Sequence, residues 1–202
     1  MTLEREARRS GIDEYLAIRL EHIFYERTLE TIGSFQVNKE TIMQGLVSTV
    51  KEAGKMANLL VFNGKKQKVK YLQFSYLLSA AKMKKLRLKL DLYDARHYGD
   101  LNSHGGYWDY VELFPYIDED IILLRDELAK RFSRIKDYEL LDIRLYYHIG
   151  VFRIIWAILM ELTADEAFAA ALSDVFEQKV TILFGAYLDQ SEEIAVIERW
   201  AC

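Results

Sequence analysis

Across residues 68–94 the hydrophobic pattern of the chain changes period. Leu86, Leu88, Leu90 and Leu92 alternate without exception with Arg87, Lys89 and Asp91, the period of a strand with one face buried and one face in water. A helix would scatter those leucines around its circumference. Residues 68–78, which include Val69, Tyr71, Phe74 and Tyr76, are rich in β-branched and aromatic residues and are long enough for a partner strand. With residues 79–85 joining the two runs, the simplest expectation is an antiparallel hairpin over about 68–94.

Two helices are expected before this hairpin. The first covers 12–32, with Ser10 as a cap, Gly33 as the stop and Ile12, Leu16, Leu20, Ile23 and Phe24 as its inner stripe. Its other residues mix Glu21, Glu26 and Glu30 with Arg19, His22 and Arg27, the mark of a solvated face. The second starts after Asn38, runs from 39 to about 60 on Ile42, Leu46, Val50, Ala53 and Leu60, and ends at Asn63-Gly64, a turn-forming dipeptide.

After the hairpin, residues 107–114 alternate well enough to make a third strand ended by Pro115. From Ile117 onward the pattern predicts helix to the end of the chain. Ile117, Ile121, Leu124, Leu128 and Phe132 form one stripe, with acids in the first turn and bases in the last, as the helix dipole favours. A central helix over 138–162 is apolar around most of its circumference, with Leu145, Phe152, Ile155 and Leu159 expected inside. The box at 163–166 opens a last helix carrying Phe168, Leu172, Val175, Phe176 and Leu183, kinked at Gly185 and restarting at Ser191. The expected fold is therefore α+β and mostly helical, a single domain over 1–202. A small central antiparallel sheet is packed by about five helices.

Composition sharpens this picture in a few places. With 51% hydrophobic residues, 29% charged residues and one proline in 202, the chain has the means to bury a core and little to interrupt long helices. Thirteen tyrosines suit core margins and binding surfaces, where a ring is buried and a hydroxyl finds a partner. The most apolar stretch, 143–162, is broken by Arg144, His148 and Arg153, so it predicts a core helix and no membrane span. The first nine residues carry charge where a signal peptide needs an apolar run, and the single cysteine, Cys202, allows no intramolecular disulfide. A cytoplasmic protein is the expectation.

Charge is the least ordinary feature. Residues 53–90 contain no Asp or Glu but ten basic residues, so this segment is +10 in a chain of net charge −4 and the remainder carries −14. On the hairpin the block supplies Lys65, Lys66, Lys68, Arg87 and Lys89 as candidate binding residues. Such a block fits a polyanion or nucleic acid, a protein surface or another subunit, or simple protection of a strand edge. One Arg against nine Lys argues against base-specific readout.

Residues 94–109 are the candidate site for chemistry, because a loop following a strand gathers Asp94, His97, Asp100, His104 and Asp109 with glycines and aromatics. Asp94, His97, His104 and Asp109 are the residue types of a metal site or of a general acid and base. Their spacing matches no closed metal motif, and no pattern in the chain names a cofactor. On the helix over 138–162, Arg144 and His148 share a face, an arrangement that could serve phosphodiester cleavage but better suits a hydrogen-bonded histidine at the core edge. The primary expectation is a non-catalytic binding or accessory protein that meets a protein, an acidic partner or a second copy of itself through the basic hairpin face. The alternative is an enzyme, metal-dependent or not, centred on 94–109.

Overall fold

The computed structural model describes residues 2–132, 134–176 and 178–198; Cys202 lies outside them. In chain order the elements are α1 (Thr2–Phe62), β1 (Tyr71–Tyr76), α2 (Leu78–Lys82), β2 (Arg87–Tyr93), β3 (His104–Asp109), α3 (Ile117–Phe132), α4 (Asp137–Thr163), α5 (Glu166–Leu172), β4 (Lys179–Ala186) and β5 (Ser191–Glu198). The fold is α+β and mostly helical.

The two helices expected before the hairpin are one. Its 61 residues give an axis of about 90 Å at the usual rise. Gly33 does not stop it, since a glycine inside a helix costs only about 1 kcal/mol and the apolar period continues through buried Phe35, Ile42 and Met43. Asn38 does not cap a second helix: its amide donates to the Ser34 carbonyl at 2.9 Å, one turn back. The real stop is Asn63-Gly64, where Gly64 takes φ +68 and Lys65 N–H donates to Leu60 O at 2.9 Å, closing the helix end as a left-handed glycine allows.

The hairpin forms as the alternation predicts. β1 and β2 are antiparallel, with Tyr71 opposite Tyr93 and Tyr76 opposite Leu88. The sheet is larger than the expected two or three strands, because the chain is not helical to its end. β4 and β5 follow α5, and the five-stranded order is β3-β2-β1-β4-β5. β1 pairs parallel with β4, so the sheet is mixed rather than purely antiparallel. Lys179 to Phe184 alternates Val180, Ile182 and Phe184 inward, a period of two that the helical stripe through Leu183 had concealed. The turn that follows carries Leu188 at φ 58, a position where glycine or asparagine is the usual signal.

The third strand also differs from its expected bounds. It spans 104–109, and Tyr110, Leu113 and Phe114 are buried beyond it around a short 3₁₀ turn. Gly105 and Gly106 sit within this strand rather than in a turn. A Cβ on Gly105 would fall on the Leu90 carbonyl, so the close approach requires glycine.

Leu72, Phe74, Leu88, Leu90, Leu92, Val180 and Ile182 line one face of the sheet, fully buried. Helices α1, α4 and α5 cover it: Phe74 lies 6.5 Å from Phe168 of α5, and Tyr76 stacks on Phe152 of α4 at 4.2 Å. Asp165, rather than Thr163, caps α5 by accepting from Ala167 N–H at 2.9 Å. α4 is the central helix. Phe152, Ile155 and Leu159 are buried, although Leu145 is only partly so. It is the one helix among the described residues long and apolar enough to cross a membrane. α3 is tied to α1 by Arg19 with Glu127 and by Arg27 with Asp120.

Candidate functional site

The basic block is distributed by the fold rather than gathered. Tyr71 lies opposite Tyr93, so Lys65, Lys66 and Lys68 belong to one end of the hairpin, and Lys82, Lys84 and Lys85 to the other. A six-residue strand separates them by about 20 Å. Lys66 is not on the surface at all: its ammonium is fully buried against Asp100 and donates to Leu92 O at 2.9 Å. Arg87 and Lys89 do stand on the face opposite the leucines, but neither is free. Arg87 clasps Asp109 at 2.8 and 3.0 Å, the bidentate geometry that suits a guanidinium. Lys89 lies 2.9 Å from Asp91 and donates to the Tyr187 hydroxyl at 3.0 Å. Burial works against its charge, yet those two partners outweigh burial and raise its pKa. The basic residues therefore do not form one continuous patch, and tertiary partners neutralise the centre of the hairpin face. Lys65 stays exposed and Lys68 partly so.

The loop after β2 is held by its own acids. Asp94 is fully buried and accepts from the Arg96 side chain at 2.6 Å and from the backbone N–H groups of Arg96 and Gln67 at 2.9 and 3.3 Å. The Arg96 side chain, aided by these backbone donors, holds its carboxyl down at about 2. Asp100 accepts from Lys66 and from the backbone N–H groups of Asp94 and Asn102. These contacts fold the loop back over the sheet.

That loop delivers His97 onto the face of the sheet opposite the leucines. The residue has φ 52, an uncommon backbone for anything but glycine. Its Nε2 lies 3.0 Å from Gln73 Oε1, and the ring is enclosed by Tyr71, Tyr93 and Tyr98 at 4.9, 5.1 and 4.1 Å. Burial lowers its pKa. His104 is exposed at the opposite end of β3 from Asp109, and Asp94 is beneath the loop. The four residues singled out from sequence are therefore not brought to one point. Among the described residues no group of three or more His, Cys, Asp or Glu side chains is placed to hold a metal.

Sequence reasoning missed a different set. Gln73, Ser75 and Asp91 alternate on the supposed water face, yet each is buried, because the loop and the β4–β5 turn cover them. Gln73 donates to Tyr98 OH at 2.7 Å, and that hydroxyl donates to Asp189 O at 2.9 Å. Ser75 Oγ is shielded without a hydrogen-bond partner, and so is Asp91 Oδ2, whose Lys89 neighbour is within ion-pair reach but out of line. Burial, with Asp91 adding to it, raises the pKa of Tyr93. The density of tyrosines was the signal in the sequence, but it carries no address.

A second missed feature is the outer side of α1. Ile18, His22, Tyr25, Leu29 and Ile32 recur at spacings of four and three, the a/d rhythm of a coiled-coil seam. The inner stripe of the same helix, Leu16, Leu20 and Ile23, faces the opposite way into the core. Ile18, Tyr25 and Leu29 are 70%, 75% and 68% exposed, and Ile32 is 47% exposed. Beside the seam runs a shallow groove of about 990 Å³ that includes Tyr15, Arg19 and Arg131.

No family model, curated protein or solved structure matches the chain.

Proposed function

We propose that this is a non-catalytic binding or accessory protein that works by pairing helices, with α1 as the contact element and a second copy of the chain as the partner. The exposed seam carries the reading. Four large apolar side chains, each offering roughly 200 Å² and on average about two-thirds exposed, give a patch of about 500 Å² per copy, in the range of the largest apolar patch on a monomer, which is often functional. Pairing two copies would bury about 1,000 Å², the lower bound for a specific interface.

Charge selects the orientation. In a parallel in-register pair, Glu21 of one copy faces Glu26 of the other across the seam, which repels. In an antiparallel pair with His22 beside the partner copy's Tyr25, Glu21 and Glu26 fall on opposite sides of the seam and that repulsion is removed. Glu14, Glu21, Glu26 and Glu30 along the outer side of the helix also oppose an anionic membrane surface as the occupant.

Light scattering behind size exclusion tests this across a concentration series. The parent should be a dimer at about 100 μM, and Tyr25→Glu with Leu29→Glu should be a monomer with an unchanged helix signal. A parent that stays monomeric at that concentration removes the reading.

A second reading rests on Lys82, Lys84 and Lys85. They are exposed at the turn between α2 and β2 and, among the described residues, have no carboxylate partner. An acidic partner meeting this turn would bind with strong salt dependence. Reversing the three to Glu should abolish retention on a polyanion column at low salt, and a parent that is not retained excludes it.

A further inference from the structure

A groove of about 730 Å³ opens between α4 and the end of the sheet where β1 stops and β5 starts. Its size lies within the range of small-molecule sites. Tyr76, Phe152, Trp156 and Phe184 supply its walls, and Arg153 and Glu192 stand at its rim. Tyr76 and Trp156 are only half-buried, so their surfaces remain available inside the groove. The core beneath is already closed by Tyr76 on Phe152, 4.2 Å apart and 18° from parallel, with Phe184 at 6.0 Å. The aromatic surface is therefore a rigid wall rather than a gap in packing.

The two rim charges distinguish this groove from an ordinary surface cleft. Arg153 and Glu192 are both exposed, and neither side chain has an ion-pair or hydrogen-bond partner among the described residues. Most other arginines of the helical layer are committed, as in Arg8 with Glu139, Arg19 with Glu127, Arg27 with Asp120 and Arg144 with Asp118. The described end of the chain does not fill the groove, because β5 leaves it at Ser191 and reaches Glu198 about 23 Å away.

We propose that this groove binds a small planar aromatic zwitterion, an aromatic amino acid or a compound of that chemistry. The ring lies on the aromatic wall, the carboxylate meets Arg153 and the ammonium meets Glu192. A guanidinium recognises a carboxylate through paired donors, and a ring gains from stacked and edge contacts beyond its buried area.

Calorimetric titration with four probes tests it: L-tryptophan, tryptamine, indole-3-propionate and L-leucine. L-Tryptophan should bind saturably, and each of the other three about tenfold more weakly or worse, since each lacks one of the three recognised elements. Arg153→Ala should weaken L-tryptophan by about tenfold and leave tryptamine within about twofold, and Glu192→Gln should do the reverse with indole-3-propionate as the unaffected probe. Both substitutions are on exposed side chains, and circular dichroism confirms that each variant is folded. Absence of saturable binding for every probe overturns the proposal, as does L-tryptophan binding that neither substitution changes or that L-leucine equals.

Discussion

Gly150 of α4 meets the ring of Phe24 in α1 so closely that a Cβ at position 150 would overlap the ring. Phe24 also packs edge-on against Tyr147, one turn earlier on the same face of α4, at 5.1 Å, so a shift of its ring would disturb that contact too. Replacing a helical glycine by alanine ordinarily stabilises by about 1 kcal/mol. Here overpacking of about 1–3 kcal/mol opposes it, so Gly150→Ala should lower stability. A denaturant midpoint above that of the parent would mean the two helices separate without cost.

Lys66 and Asp100 are the buried pair on which the loop after β2 depends. Removing one partner of such a pair leaves an uncompensated charge and costs about 3–5 kcal/mol. Asp100→Ala also strands the Asp94 and Asn102 backbone donors. Equilibrium unfolding in urea should place Asp100→Ala and Lys66→Ala alike well below the parent, whereas an exposed pair would give a change under about 1 kcal/mol.

His148 sets a pH dependence. Its burial, and secondarily the positive charge of Arg144, push it down to about 4, with Asp118 partly opposing. An unfolded histidine titrates near 6.5. Between these values the unfolded chain binds a proton that the folded protein refuses, so stability is full above about pH 6.5 and falls as the pH drops toward 4. Between pH 7 and pH 5 this amounts to ~2 kcal/mol. His97 is lowered in the same direction by burial and adds to the parent's slope. His148→Gln should therefore flatten the urea midpoint between pH 7 and pH 5 without abolishing the trend, and identical slopes for parent and variant would place the imidazole in water.

Leu90 lies fully buried on the sheet between Phe74 of β1 and Gly106 of β3. Leu90→Ala should cost about 2–5 kcal/mol through lost burial and the cavity left behind. The measurement is again the urea midpoint, and a loss below about 0.5 kcal/mol would contradict a leucine face against the helices.

The hairpin was legible because Leu86 to Leu92 alternate so strictly that only one local structure buries them together. The end of α1 was legible for the same reason, since Asn63-Gly64 states a backbone conformation. Where local signals were ambiguous, tertiary packing decided. Gly33 and Asn38 read as a break, but buried Phe35 carries the helix across it. Val175, Phe176 and Leu183 fit a helical stripe on paper, and only pairing with β1 makes the segment from Lys179 a strand. The pairing within the basic face was hidden for another reason: Lys66 finds Asp100, and Arg87 finds Asp109, partners that no spacing along the chain reveals. Gln73, Ser75 and Asp91 looked solvated because the covering loop is invisible to a period of two.

The parallel pairing of β1 with β4 also governs when the molecule can become itself. Tyr71 and Thr181 are neighbours in the sheet, yet a helical layer's worth of chain lies between them, and such distant contacts form slowly because loop closure precedes their reward. During synthesis, at about 5–20 residues per second, the edge of β1 waits several seconds for its partner with its backbone groups unpaired. Nascent chains halted before residue 179 should therefore be captured by holdase chaperones, and release should begin once β4 has emerged.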